Sequence, residues 1–160
     1  MSIEHRSRLP YVTIAVVVFI CDQWTKAMVE RSIPLYAIVP VIPRFFNLTD
    51  THNPGAAFGL FSDSPGPWKT ALLIVISLLL LAAVVGFVFK SHHLGWQTGV
   101  ALGLILGGAA SNLLDRLRFG QVTDFLDFYI RQYHWYTFNL ADSAIVVGAG
   151  LLILSLLVSE

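Results

Sequence analysis

Four stretches of this chain are apolar enough to lie in a lipid bilayer, so every polar residue that interrupts them needs a physical reason. Residues 71–89 run without a single charge. At helical rise that length crosses most of a hydrocarbon core of about 30 Å. Residues 140–158 form a second stretch, broken near its start by Asp142. A third, residues 98–114, holds Gly103, Gly107, Gly108, Ala109 and Ala110, small residues that suit close helix packing in lipid. The first, residues 11–29, is apolar as far as Cys21 and then carries Asp22 and Lys26. Hydrophobic residues make up 56% of the chain and charged residues only 12%. An ordinary soluble domain has about 25% charged residues. The expected fold is therefore an all-α membrane protein of four transmembrane helices, a single domain over residues 1–160.

The first stretch also has features of a cleavable leader, with Arg6 and Arg8 ahead of it and Cys21 at its end. Ile20 is too large for the small residue that precedes such a cleavage point. Asp22 and Lys26, four apart on one helical face, read as an ion pair closing a retained helix.

With four spans, Asp22, Lys26, Asp115, Arg116, Asp124, Asp127, Asn139 and Asp142 all fall on one membrane face. The two long connections, residues 30–69 and 116–138, fall there too. The first alternates apolar residues with Pro34, Pro40 and Pro43, a pattern of short strands. Basic residues do not orient the chain: Arg6, Arg8 and Lys90 lie on the terminal side and the other seven opposite.

Several function classes drop out. Zero net charge gives no basic footprint for nucleic acid. One cysteine and five dispersed histidines provide no metal-ligand spacing, so no metal or cofactor is expected. No serine or cysteine sits in a recognisable nucleophile–base arrangement. A surplus of carboxylates at one membrane surface remains. An aspartate inside a span costs about 2.5–3.5 kcal/mol, so it persists when paired, interfacial or needed. Two neighbouring aspartates do not both ionise easily, and one retains a proton. One can then activate water while the other protonates the carbonyl or leaving amine, which is the chemistry of peptide hydrolysis. Residue types alone leave open which two aspartates pair. They also leave open whether Asp142 is only a helix-start acid behind an Asn139 cap, Asp124 a loop acid, and Asn112, Asp115 and Arg116 an interfacial anchor or local ion pair.

Five segments then carry a resemblance. Asp22-Gln23-Trp24-Thr25-Lys26, Asn53-Pro54-Gly55-Ala56-Ala57-Phe58-Gly59, Gly107 through Arg116, Val122-Thr123-Asp124-Phe125 and Phe138-Asn139-Leu140-Ala141-Asp142-Ser143 resemble, in order, the motifs of the lipoprotein signal peptidases, or signal peptidase II. Thr123 departs from a valine common in that family. The resemblance implies a bacterial inner-membrane aspartic endopeptidase with cytoplasmic termini and a site near the extracytoplasmic surface. The length and prolines of residues 30–69 suggest a small β-rich extracytoplasmic region between helices 1 and 2, with a mobile flap over the substrate. The implied substrate is a diacylglyceryl-modified prolipoprotein, cut on the amino side of the lipidated cysteine. By motif, Asp124 and Asp142 are catalytic. Asp22, Lys26, Asn53, Gly55, Asn112, Asp115, Arg116 and Asn139 would bind substrate or support the site. Implied partners are the prolipoprotein and membrane lipid, with one chain sufficient for a complete site. The competing class is a small transporter using the same charges as a pathway. Against it, residues 71–89 contain only Ser77 as a polar side chain, and the last stretch has little beyond its first turn apart from Ser155.

Overall fold

A computed structural model describes residues 8–55, 68–91 and 95–158. Helix α1 spans Leu9–Ser32, α2 Trp68–Lys90, α3 Trp96–Phe119 and α4 Leu140–Val158. Each contains one of the apolar stretches. The first three are long and apolar enough to cross a membrane, and α4 is apolar after its first turn apart from Ser155. Helix α3 runs about a turn past the expected end at residue 114. Asp115 and Arg116 there find partners on other elements, so the polar end of the helix has no reason to unwind.

Helix α3 is the hub and packs on the other three, whereas α2 packs mainly on α3. Glycines allow this. A Cβ at Gly107 would meet the Ala15 carbonyl of α1 at 2.5 Å, and one at Gly108 would run into the Ala141 carbonyl of α4. In lipid, such close backbone approach replaces the hydrophobic effect as the source of helix association. Gly108→Val is therefore expected to destabilise the protein by about 1–3 kcal/mol through overpacking. Thermal unfolding in detergent checks this, and an unchanged midpoint would contradict the packing.

The non-helical part is a four-stranded antiparallel sheet in the order β1-β2-β3-β4, with β1 Ile38–Ile42, β2 Phe46–Asn53, β3 Val122–Ile130 and β4 Tyr133–His134. This corrects the expectation of a helical body with strands between helices 1 and 2 alone. The α3–α4 connection supplies half of the sheet. Its Val122–Ile130 segment alternates side chains about the strand, and β2 pairs with it from Phe46↔Phe128 to Asn53↔Val122, with a bulge between Leu48 and Thr51. On β3, Phe125 enters a core with Val29 and Ile33 from the end of α1, flanked by Leu48 and Leu140. A strand sends neighbouring side chains to opposite faces, so anchoring Phe125 aims Asp124 the other way. The suggested flap lies partly in residues 56–67, outside the described residues.

Candidate active site

The start of α4 builds one half of the site. Asn139 precedes the helix, and its side-chain oxygen accepts the Asp142 backbone N–H at 2.8 Å. This is an N-cap, and it places Asp142 in the first turn, where the helix dipole favours negative charge. The Asn139 amide then donates to Asp124 Oδ1 at 2.7 Å. From β2, Asn53 donates to Asp124 Oδ2 at 3.0 Å. From α3, Asn112 donates to Asp142 Oδ1 at 2.7 Å. Three asparagines thus orient two carboxylates, and both carboxylates line one pocket with Asn53, Asn112 and Arg116.

Asp124 is 1% exposed. Burial, followed by the like charge of Asp142, pushes its carboxyl up to about 7, against the opposing pull of the Asn53 and Asn139 amides and Lys26. Near neutral pH this carboxyl is poised between acid and base forms. The arrangement suits proton transfer in both directions, which one isolated carboxylate does not provide.

Behind the pocket lies a dry charged network. Lys26 contacts Asp22 Oδ2 at 2.7 Å and Asp115 Oδ2 at 2.6 Å, and donates to Asn112 Oδ1 at 2.9 Å. Asp22 is fully buried. Its Oδ1 accepts the Ala141 N–H of α4 at 2.8 Å, and its Oδ2 accepts the Ser111 hydroxyl at 2.7 Å. Gln23 donates to Asp115 Oδ1 at 2.7 Å. The network ties α1, α3 and α4 together and reaches the pocket through Asn112. Buried charges persist only when paired and hydrogen-bonded in this way.

The structure brings most of the sequence-derived residues together in two layers. Asp124, Asp142, Asn53, Asn112 and Arg116 line the pocket, and the fully buried Asn139 holds Asp124 and the start of α4 in place. Asp22, Lys26 and Asp115 lie behind it, so Asp115 pairs across to α1 and is not part of a local pair with Arg116. Gly55 is held at the edge: its N–H donates to Asn53 Oδ1 at 2.9 Å, and its carbonyl accepts from Arg116 at 3.1 Å. Among the described residues, no three His, Cys, Asp or Glu side chains converge on a metal-sized site.

Sequence reasoning missed the apolar wall. Trp135, Tyr136, Thr137 and Phe138 from the connection before α4, with Ile145, Val146 and Val147 from α4, line a cavity of about 400 Å³. The available signal was the aromatic run His134-Trp135-Tyr136-Thr137-Phe138 directly ahead of the Asn139 motif. Also missed was the hydrogen bond of 2.6 Å from the Thr123 hydroxyl to Glu30, which ties the strand beside Asp124 to α1. A valine at Thr123 would not make it.

Comparison with known proteins agrees with this architecture. A family model described as signal peptidase (SPase) II matches residues 14–158. A lipoprotein signal peptidase from Solibacter usitatus is 44% identical over 144 residues, covering 90% of this chain and 88% of that protein. One from Alteromonas mediterranea is 42% identical over 156 residues, covering 98% and 85%. A bacterial membrane enzyme solved by the in meso method at 2.3 Å resolution superposes with a TM-score of 0.83 at 36% identity, covering 92% of this chain and 87% of that one. With the matched region running across all four helices and the sheet, this chain belongs to the signal peptidase II family, whose members are aspartic-type membrane peptidases.

Proposed function

We propose that the protein is a membrane endopeptidase that removes the signal peptide from diacylglyceryl-modified prolipoproteins, with Asp124 and Asp142 as its catalytic pair. The observation that carries this reading is two aspartates lining one pocket, each oriented by asparagine amides, beneath an apolar wall. The relatives' name, lipoprotein signal peptidase, supplies the substrate class.

In this mechanism the pair holds one proton. The ionised member takes a proton from water, whose oxygen attacks the scissile carbonyl; the protonated member supports the developing oxyanion and then the departing amine. The peptide C–N bond breaks on the amino side of the lipidated cysteine, giving a signal-peptide carboxyl group and a new cysteine amine. Asn53, Asn112 and Asn139 orient the carboxylates. Arg116, anchored on the Gly55 carbonyl, offers a positive charge at the pocket rim. Asp22, Lys26 and Asp115 hold the helices that carry these groups.

The apolar wall suits an acylated substrate arriving from lipid, since the cavity offers far more apolar than polar surface. In this reading all four helices span the bacterial inner membrane as one domain, both termini are cytoplasmic, and the site lies near the extracytoplasmic surface. One chain supplies both carboxylates and their partners, so a monomer suffices. The test is cleavage by the purified protein in detergent of one prolipoprotein with and without its diacylglyceryl group. Processing of the lipidated form alone is expected. Equal processing of both would overturn the lipid requirement, and processing of neither by folded protein would overturn the function.

The pH dependence follows from Asp124. Below about 7 the Asp124 carboxyl holds its proton, and above that value the proton is lost and Asp124 no longer serves as the acid. The value of kcat/KM should therefore fall as pH rises through about 7, because kcat/KM reports groups of the free enzyme. A rate constant flat from pH 6 to 9 would contradict this assignment.

A further inference from the structure

All five residues of β1 are exposed. Four of them, Ile38, Val39, Val41 and Ile42, are large and apolar and point to both faces of the strand. Leu35, Tyr36 and Phe45 beside them are also exposed, as are Ile130 and Tyr133 at the end of the second hairpin. In water, an apolar edge strand of this kind invites aggregation. We propose that this outer edge, β1 together with the tips of both hairpins, is seated in the interfacial layer of the bilayer, with Arg44 and Arg131 on lipid phosphates.

Three observations choose lipid over a protein partner. The apolar surface continues from α1, whose exposed Val16, Val17, Ile20, Trp24 and Met28 lead directly to Leu35 and Tyr36. Next, Pro34, Pro40 and Pro43 flank or interrupt β1. Proline removes a ladder donor, so the edge is ill-suited to an added strand from another chain. Finally, the tips carry charge of one sign. Neither residues 33–46 nor residues 128–136 contain a carboxylate. Arg44 and Arg131 form no ion pair among the described residues. Both adopt left-handed backbone, with φ of 68° and 58°, at turns where glycine would be easier. Two copies meeting at this surface would bring arginines together, whereas lipid phosphates complement them. Aromatic side chains such as Tyr36, Phe45 and Tyr133 suit headgroup depth, and arginine buries its stem while its head stays polar.

The register makes the proposal geometrically specific. The tips, at Phe46↔Phe128, lie six β3 residues from the Asn53↔Val122 end beside the pocket. That is about 20 Å at strand rise. With both ends at interfacial depth, the strands run along the membrane surface. Strands standing upright would instead carry the tips about 20 Å away from the pocket end into water. The sheet would then form a floor beside the pocket at the depth from which a lipid-anchored chain arrives.

The inference rests on the helices crossing the bilayer but not on the catalytic reading. Its test uses Ile42→Cys and Ile130→Cys in a Cys21→Ser background, spin-labelled and reconstituted in phosphatidylglycerol nanodiscs. Collision with oxygen and with a water-soluble nickel chelate reports depth. Both tip labels should favour oxygen, as a Leu79→Cys label on lipid-facing α2 does. Free collision with the nickel chelate at both tips would overturn the proposal. Adding Arg44→Gln and Arg131→Gln should shift both labels toward water; unchanged depth would remove the phosphate contacts. Cleavage assayed on the same samples separates the two readings, because the depth result stands whether or not the chain is active.

Discussion

Asp124→Asn and Asp142→Asn are each expected to slow prolipoprotein cleavage by about 10³-fold or more, within the range that general acid–base groups contribute. Neither change should unfold the protein. In Asp142→Asn the retained carbonyl still accepts the Asn112 amide now bonded to Oδ1. Asp124→Asn is costlier, because both carboxylate oxygens accept from amides, one from Asn53 and one from Asn139. The new NH₂ must face one of those donors. Asn53 is not free to turn without cost, since its own oxygen accepts the Gly55 N–H. A lost buried acceptor costs about 1–3 kcal/mol, which lowers the melting point but leaves a folded protein. Partial relief comes from removing a carboxylate whose charged form is already disfavoured by burial and then by Asp142. The measurement is kcat/KM with thermal unfolding on each variant. Turnover within about ten-fold of wild type, against the range for such groups, would remove that residue from the chemistry.

Lys26→Met carries the largest expected loss of stability, about 3–5 kcal/mol, because it leaves two buried carboxylates without their cation. Asp22 and Asp115 both contact the ammonium, and all three groups are almost wholly excluded from water. The methionine fills the space of the lysine stem, so packing is nearly preserved and the loss is electrostatic. The damage should reach the pocket as well, since Lys26 donates to the same Asn112 that orients Asp142. Adding Asp22→Asn and Asp115→Asn to Lys26→Met should recover a substantial part of the lost stability, because the stranded charges are gone. Thermal unfolding in detergent checks both steps. A Lys26→Met protein as stable as wild type would show that the network contributes little to holding the helices together.

Much of this architecture is legible in the sequence because lipid is a demanding solvent. An apolar run such as residues 71–89 has no alternative but a helix in hydrocarbon. Asp22 and Lys26 can be paired by spacing alone, and the contact of 2.7 Å is there. Asn139 can be read as a cap because Asp142 follows at the right offset. Close helix packing is likewise written in Gly107 and Gly108.

What the sequence hides depends on contacts between distant elements. Asp115 could face Arg116, Lys26 or water from its position at the end of a helix; the rotation of α3 against α1 decides it. Segment 122–128 reads as an interfacial stretch until β2 is present to pair with it. Only then does alternation put Phe125 in the core and Asp124 in the pocket. The wall from Trp135 to Phe138 is aromatic in the sequence without any sign that it folds over the carboxylates. Gln23 and Ser111 lie inside segments that carry the family resemblance, yet their partners Asp115 and Asp22 are set by tertiary packing.

The most direct test of the proposed chemistry is mass spectrometry of products from one diacylglyceryl-modified prolipoprotein incubated with wild type, Asp124→Asn and Asp142→Asn in parallel. Wild type should release the intact signal peptide and leave a mature chain beginning at the lipidated cysteine, and neither variant should yield these products. Cleavage at another bond, or the same products from a folded variant, would contradict the two-aspartate peptidase.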